Sequence, residues 1–342
     1  MHFCKTAVSA WFAALCSMLL ACFALSQPAR AQSTAEGTAP GCVPADLGAL
    51  VVPEGQSVRV SEFKEGSGSK AQALNGTASG KTLPFLTDDH QAKAAYGIFL
   101  KEARQGNPAA MVNLAVSSLA GWGTQPNAGA ALYWLHEAAK RGNGLALYDL
   151  GILYFKGCGV RADAAQAFHF FEKGAQAGYA PAQVDLGYFY DQGLGVRQDH
   201  NAAALWYRRA AESGEAQAQY DLADLYLQGE GVEKDEAGAF AWFQKAALQG
   251  HVKAQTMAGS MLAAGRGTAK DLAGAYFWIF AASLQGDDSG TATLRALEGE
   301  LMIVQVEEAK MKARSFVAER EELMAKARAH APVRMAATRS PK

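Results

Sequence analysis

From about residue 107, small and apolar side chains recur among polar ones at a helical spacing. Ala110 and Leu114, Ala146 and Leu150, Ala182 and Leu186, Ala218 and Leu222, and Ala254 and Ala258 stand four apart, and Ser118, Tyr154, Tyr190, Tyr226 and Leu262 follow four later. Positions i, i+4 and i+8 share one helical face, so each segment predicts a first amphipathic helix. Each such helix runs into a Gly-x-Gly turn, from Gly121 and Gly123 to Gly265 and Gly267. Glycine adopts the positive φ that ends a helix without steric cost. A second stripe follows in each segment: Ala131, Ala167, Ala203, Ala239 and Ala275, then Trp134, Phe170, Trp206, Trp242 and Trp278, then Ala138, Gly174, Ala210, Ala246 and Ala282. It is preceded by Asn127, Asp163, Asp199, Asp235 and Asp271. These short polar side chains accept hydrogen bonds from first-turn amides and predict the N-caps of a second helix rather than ligands.

The two-helix pattern has a fixed period. Gly106, Gly142, Gly178, Gly214, Gly250 and Gly286 lie 36 residues apart without insertion or deletion. One helix pair cannot bury its apolar face alone, so the units must stack on one another. The predicted fold is all-α: an α-solenoid of antiparallel helix pairs, with five units over 107–286.

A unit such as Ala218-x-x-x-Leu222-Ala-x-x-Tyr226-x-x-Gly229-x-Gly231-Val-x-x-Asp235-x-x-x-Ala239-x-x-Trp242-x-x-Lys245-Ala-Ala-x-x-Gly250 resembles the Sel1-like repeat, a relative of the tetratricopeptide repeat, over roughly 92–286. The resemblance implies a protein-interaction scaffold, often outside the bacterial cytoplasm, with no catalytic residue shared by the family. The first unit departs at Gly123-Thr-Gln-Pro126 and the last at Ala258 and Leu262, as edge units do when one side meets a cap or water.

The flanks differ from the array. Residues 1–31 hold Lys5, an apolar run from Ala7 to about Leu25, and Ala29-Arg30-Ala31 before Gln32. This is the anatomy of a secretory signal peptide and predicts export to the periplasm or medium after cleavage near Ala31. Two other readings stay open: an uncleaved anchor, and a lipid-anchored envelope protein if Leu19-Leu20-Ala21-Cys22 acts as a lipobox with Cys22 acylated. The Gly/Ser/Thr-rich stretch 32–86 reads as a flexible leader. Residues 87–106 read as an N-terminal capping helix, with Ala95 and Ile98 at second-helix positions. Residues 291–330 carry Leu294, Leu297, Leu301 and Val304, then Glu308 with Lys312 and Glu322 with Lys326. That pattern predicts a C-terminal cap and a charged helix within 287–342.

Composition narrows function by exclusion. Cleavage at Ala31 leaves 30 basic against 33 acidic side chains, and no basic stripe argues for nucleic acid. After cleavage Cys42 and Cys158 remain; an exported compartment permits a bridge, but no cysteine pair recurs with the repeat. The seven histidines never take a metal-ligand spacing, no nucleophile elbow or phosphate loop occurs, and the glycines are accounted for by turns. No catalytic, metal or cofactor site is expected. A protein or peptide partner is, with membrane contact only through that partner or Cys22.

A residue advances about 100° on a helix, so one stripe of each first helix lies roughly perpendicular to its core face. It reads Asp149, Ile152 and Lys156; Asp185, Tyr188 and Gln192; and Gln217, Asp221, Asp224 and Gln228. By analogy with related repeats this is the concave groove, expected to receive a peptide or partner helix. A second reading gives the aspartates at 149, 185 and 221 to hydrogen bonds between neighbouring helices. Tyr188 and Asp224 depart from the small or apolar residues usual in such repeats. Three functional classes follow: an exported adaptor for an envelope signalling or exopolysaccharide system, a β-lactam-binding or hydrolysing enzyme of the cysteine-rich Sel1-like kind, and a lipid-anchored component of an export complex.

Overall fold

A computed structural model describes residues 89–330, which fall within the compact unit Thr38–Lys342. The signal-peptide, lipobox, leader and Cys42 readings lie outside the described residues. Those residues form thirteen α-helices and no strand: α1 (Asp89–Arg104), α2 (Pro108–Ala120), α3 (Ala128–Ala139), α4 (Gly144–Lys156), α5 (Ala164–Gln176), α6 (Ala180–Gln192), α7 (His200–Glu212), α8 (Ala216–Gln228), α9 (Glu236–Leu248), α10 (Val252–Ala264), α11 (Leu272–Leu284), α12 (Thr291–Glu300) and α13 (Ile303–His330). Consecutive helices pack in order along the array, and α13 returns onto α11.

The two expected stripes form the core. Ala110, Ala146, Ala182, Ala218 and Ala254 of the first helices, and Ala131, Ala167, Ala203, Ala239 and Ala275 of the second, have no solvent exposure. Every anticipated second-helix N-cap is made: Asn127, Asp163, Asp199, Asp235 and Asp271 each accept a first-turn amide. The first glycine of each turn takes the left-handed conformation that closes a helix, as at Gly157 and Gly229. The second glycine has a further role that turn chemistry does not reveal. A Cβ on Gly195, Gly231 or Gly267 would overlap the backbone of Ala164, His200 or Glu236, where the preceding unit's second helix begins. Each turn is thus wedged against its neighbour.

One assignment shifts by a residue. Trp134, Trp206 and Trp242 are only partly buried, whereas the following position, Leu135, Phe171, Tyr207, Phe243 and Ile279, is almost wholly enclosed. It packs within its own unit on a small residue of the first helix. A side chain on Gly151, Gly187 or Gly259 would meet Phe171, Tyr207 or Ile279. Trp206 packs on a cluster that joins Phe171 and Ala175 of the second unit to Leu186 of the third, and Trp242 on one that joins Ala210 and Ala211 of the third unit to Leu222 of the fourth.

The C-terminal pattern folds as two helices, α12 and α13. Leu301 is extended at φ −92° and ψ 149° and closes α12, while Gln305 Oε1 accepts the Met302 amide at 3.0 Å. Val306, Ala309, Ala313 and Val317 of α13 are buried. They cover the last repeat, Ala313 and Val317 lying against Phe277, Phe280 and Ala281. The expected pairs Lys312–Glu308 and Lys326–Glu322 form at 2.7 and 2.6 Å.

Candidate partner-binding face

Helices α6 and α8 carry most of the expected stripe, and α7 passes between them. Tyr188 on α6 is 47% exposed, an unusual setting for a ring of that size on a helix otherwise committed to packing. Gln192, one turn on, is exposed and donates to Asp191 Oδ2 at 2.8 Å. On α8 the stripe is a run of amide-to-carboxylate bonds: Gln217 Nε2 donates to Asp221 Oδ1 at 2.9 Å and Gln228 Nε2 to Asp224 Oδ2 at 2.6 Å. Asp185, Asp221 and Asp224 are half-buried.

Two members of the expected stripe are not on the surface. Asp149 has no exposure and Ile152 is 6% exposed. Ile152 joins a cluster with Phe171, Ala182, Leu186 and Phe189, because the first helix of the next unit covers that side of α4. Burial puts Asp149 between helices, in line with the second reading of that position. The face open to a partner is therefore narrower than expected and centres on units three and four.

Charge is concentrated there. Burial, reinforced by the carboxylates of Asp191 and Asp224, pushes Asp221 up to about 7, against the opposing effects of the Gln217 hydrogen bond and Lys253. Asp191 also bonds His200 Nδ1 at 2.8 Å. His251, the N-cap of α10, accepts the Ala254 amide at Nδ1, so its Nε2 carries the proton and donates to Gln217 Oε1 at 3.1 Å. Its ring stacks on Tyr220 at 4.8 Å. Burial first, and then Lys253, hold this imidazole below its ordinary value.

Beneath the face lies a ladder of glutamines absent from the sequence reading. Gln183, Gln219 and Gln255 are buried and donate to the carbonyls of Ala175, Ala211 and Ala247, near the end of the preceding helix. Their recurrence at 36 residues was the available signal. Likewise, the position occupied by Leu135, Phe171, Phe243 and Ile279 in other units holds Tyr207, which brings a hydroxyl to α7 alone.

Among the described residues no three His, Cys, Asp or Glu side chains converge on a metal-sized site, and no helix is long and apolar enough to cross a membrane. A shallow depression lined by Tyr154, Val160, Arg161, Ala162 and Asp163 sits at the turn of unit two, apart from the stripe.

The family described as Sel1 repeat matches residues 108–143, 144–179, 180–215, 216–251 and 252–287. Among solved structures, the chain is similar to a protective antigen present in uropathogenic Escherichia coli strains displaying an SLR fold. That match has 32% identity and a TM-score of 0.61, covering 72% of this chain and 53% of the other, so this chain spans about half the length of that protein. A Sel1 repeat protein from Oxalobacter formigenes is similar at 28% identity and a TM-score of 0.51, over 67% of this chain and 96% of that one. No curated protein sequence matches the chain.

Proposed function

Because the chain belongs to the Sel1 repeat family, we propose that it is an exported, non-enzymatic scaffold that takes a protein partner on the first-helix face of its third and fourth repeats. Sel1 repeats generally mediate protein–protein interaction. The observation that carries the placement is Tyr188, a half-exposed aromatic on the same stripe of positions as the half-buried Asp185, Asp221 and Asp224. An aromatic anchor with a polar surround is the usual make-up of a binding hot spot. Export rests on the signal-peptide pattern of residues 1–31, and an envelope signalling or exopolysaccharide system is the setting that the family resemblance suggests.

The test is a crosslinking pull-down of the chain from envelope extracts, comparing wild type with the double variant Tyr188→Ala, Asp224→Ala. Loss of a captured partner with helicity unchanged supports the placement. Undiminished capture moves the interface to another face, and absence of the chain from the envelope fraction removes the export reading.

A further inference from the structure

The cap at the start of α10 is built differently from those of the other first helices. Asn107 and Asn143 cap α2 and α4 with a carboxamide oxygen, which accepts at any pH. At the same position in the repeat, His251 caps α10 with a ring nitrogen, Nδ1 accepting the Ala254 amide at 3.2 Å. That nitrogen accepts only while the ring is neutral. The ring is half-buried and its other side is committed to α8, where Nε2 donates to Gln217 Oε1 at 3.1 Å and Tyr220 stacks on it at 4.8 Å. Gln217 Nε2 donates in turn to Asp221 Oδ1 at 2.9 Å. The bonds run in one direction, from the α10 backbone through His251 and Gln217 to Asp221. Elsewhere the position is without such a device: Tyr179 and Glu215 make no side-chain cap bond, and Asp287 accepts the Ser289 amide with a carboxylate.

We infer that His251 is an acid-sensitive latch between α8 and α10: protonation of its ring releases the first turn of α10 and, with it, the bond to Gln217. The proton enters at Nδ1, where the Ala254 N–H points, and an imidazolium carries two donors and no acceptor. Ala254 then has no acceptor, and a positive charge stands at the positive end of the helix dipole. The ring has to turn out of the cap, which takes Nε2 off Gln217 and the imidazole off Tyr220. Burial opposes the proton, and so does Lys253 on α10 itself. From the packed elements the titratable groups are Tyr220, with Asp224 and Asp221 beside it on α8, and Asp287 beyond α11, which Thr256 Oγ1 holds at 2.7 Å. The closed latch therefore belongs to neutral pH and opens as pH falls. It is a property of the fold and holds whether or not a partner binds this face.

The experiment is residue-resolved amide exchange of the full chain by NMR from pH 4 to pH 7.5, each rate divided into the intrinsic rate at that pH. Protection of the Ala254 amide is expected to fall about fivefold to tenfold on the acid side. Ala146, which Asn143 caps at 2.9 Å, should stay level and serves as the internal control. The variant is His251→Asn. The backbone at His251, φ −69° and ψ 107°, matches that at Asn143, φ −70° and ψ 109°, so asparagine can take over the cap without a titrating ring. Its Ala254 protection should equal that of wild type at pH 7.5 within about twofold and stay flat to pH 4. Level protection in wild type, or an equal fall in both chains, overturns the latch. The Gln217 side-chain amide should show a step with the Ala254 midpoint that is missing from His251→Asn. The same step in both chains belongs to Asp221 and overturns the link to α8.

Discussion

Gln249 Nε2 donates to Gln219 Oε1 at 2.8 Å within the fourth repeat, and also, across the joint to the third repeat, to the Gly214 carbonyl at 2.9 Å. Gln285 repeats the first bond to Gln255 one unit later, at 2.8 Å. One unit earlier the equivalent position is Ser213, too short to reach, and Gln183 Oε1 is left buried without a partner. An unsatisfied buried acceptor costs about 1–3 kcal/mol. Ser213→Gln should therefore stabilise the array by about 1 kcal/mol, after some loss to side-chain ordering. Urea unfolding checks this, and an unchanged or lowered midpoint would mean that the ladder does not extend.

Glycines with the same backbone conformation should differ sharply in their tolerance of a methyl group. Gly214 and Gly231 both have positive φ, 100° and 66°. A Cβ on Gly214 meets open space, whereas on Gly231 it would overlap the His200 carbonyl. Gly214→Ala then carries only the left-handed strain, about 1–2 kcal/mol. Gly231→Ala adds displacement of one repeat against the next, for a total of about 3–5 kcal/mol. Paired thermal melts decide it, and equal losses would show that the turn is free to move off its neighbour.

The first helices are capped unevenly. Asn107 and Asn143 accept first-turn amides at the starts of α2 and α4, but Glu215 at the start of α8 makes no side-chain cap bond, although its backbone, at φ −66° and ψ 113°, matches theirs. Glu215→Asn should therefore add about 1 kcal/mol. Its readout is the unfolding midpoint together with amide exchange at Gln217 and Ala218. Protection should rise there first, and a uniform change across the array would point to another cause.

These cases mark where the sequence was legible. Stripes, caps and turns are local, so Ala131, Asp163 and Gly157 could be read from spacing alone. Contacts made across the joint between units could not. Angular spacing takes each first helix as isolated and so puts Ile152 on the surface, when the next unit covers it. It reads Gly231 as a helix stop and misses the wedge on His200. It passes over Gln219 and Tyr207 because both sit on faces assigned to packing, where a polar atom shows its purpose only once its neighbours are known. Tyr188, Asp221 and Asp224 were legible because their distinction is one of residue type at a position already fixed by the period.

Two titrations at the candidate face oppose each other below neutrality. Asp221 is held at about 7 in the fold against an ordinary 3.8, so between those values the folded chain holds a proton that the unfolded chain has lost, and stability falls as pH rises through that window. The groups facing it are Gln217 and Asp224 on its own helix, Asp191 from α6 and Lys253 from α10. His251 runs the other way. Its folded value is depressed, so below about 6.5 the unfolded chain takes up a proton that the fold resists, and stability is lost as pH falls. Asp221→Asn should remove the first slope only. The variant should match wild type near pH 4 and exceed it at pH 8 by about 2 kcal/mol, less than a full conversion of the shift because the group is half-buried and screened. His251→Asn keeps a cap for α10 and should flatten the loss on the acid side. Chemical denaturation across pH separates the two, and an Asp221→Asn curve parallel to wild type would show that the carboxylate is well solvated.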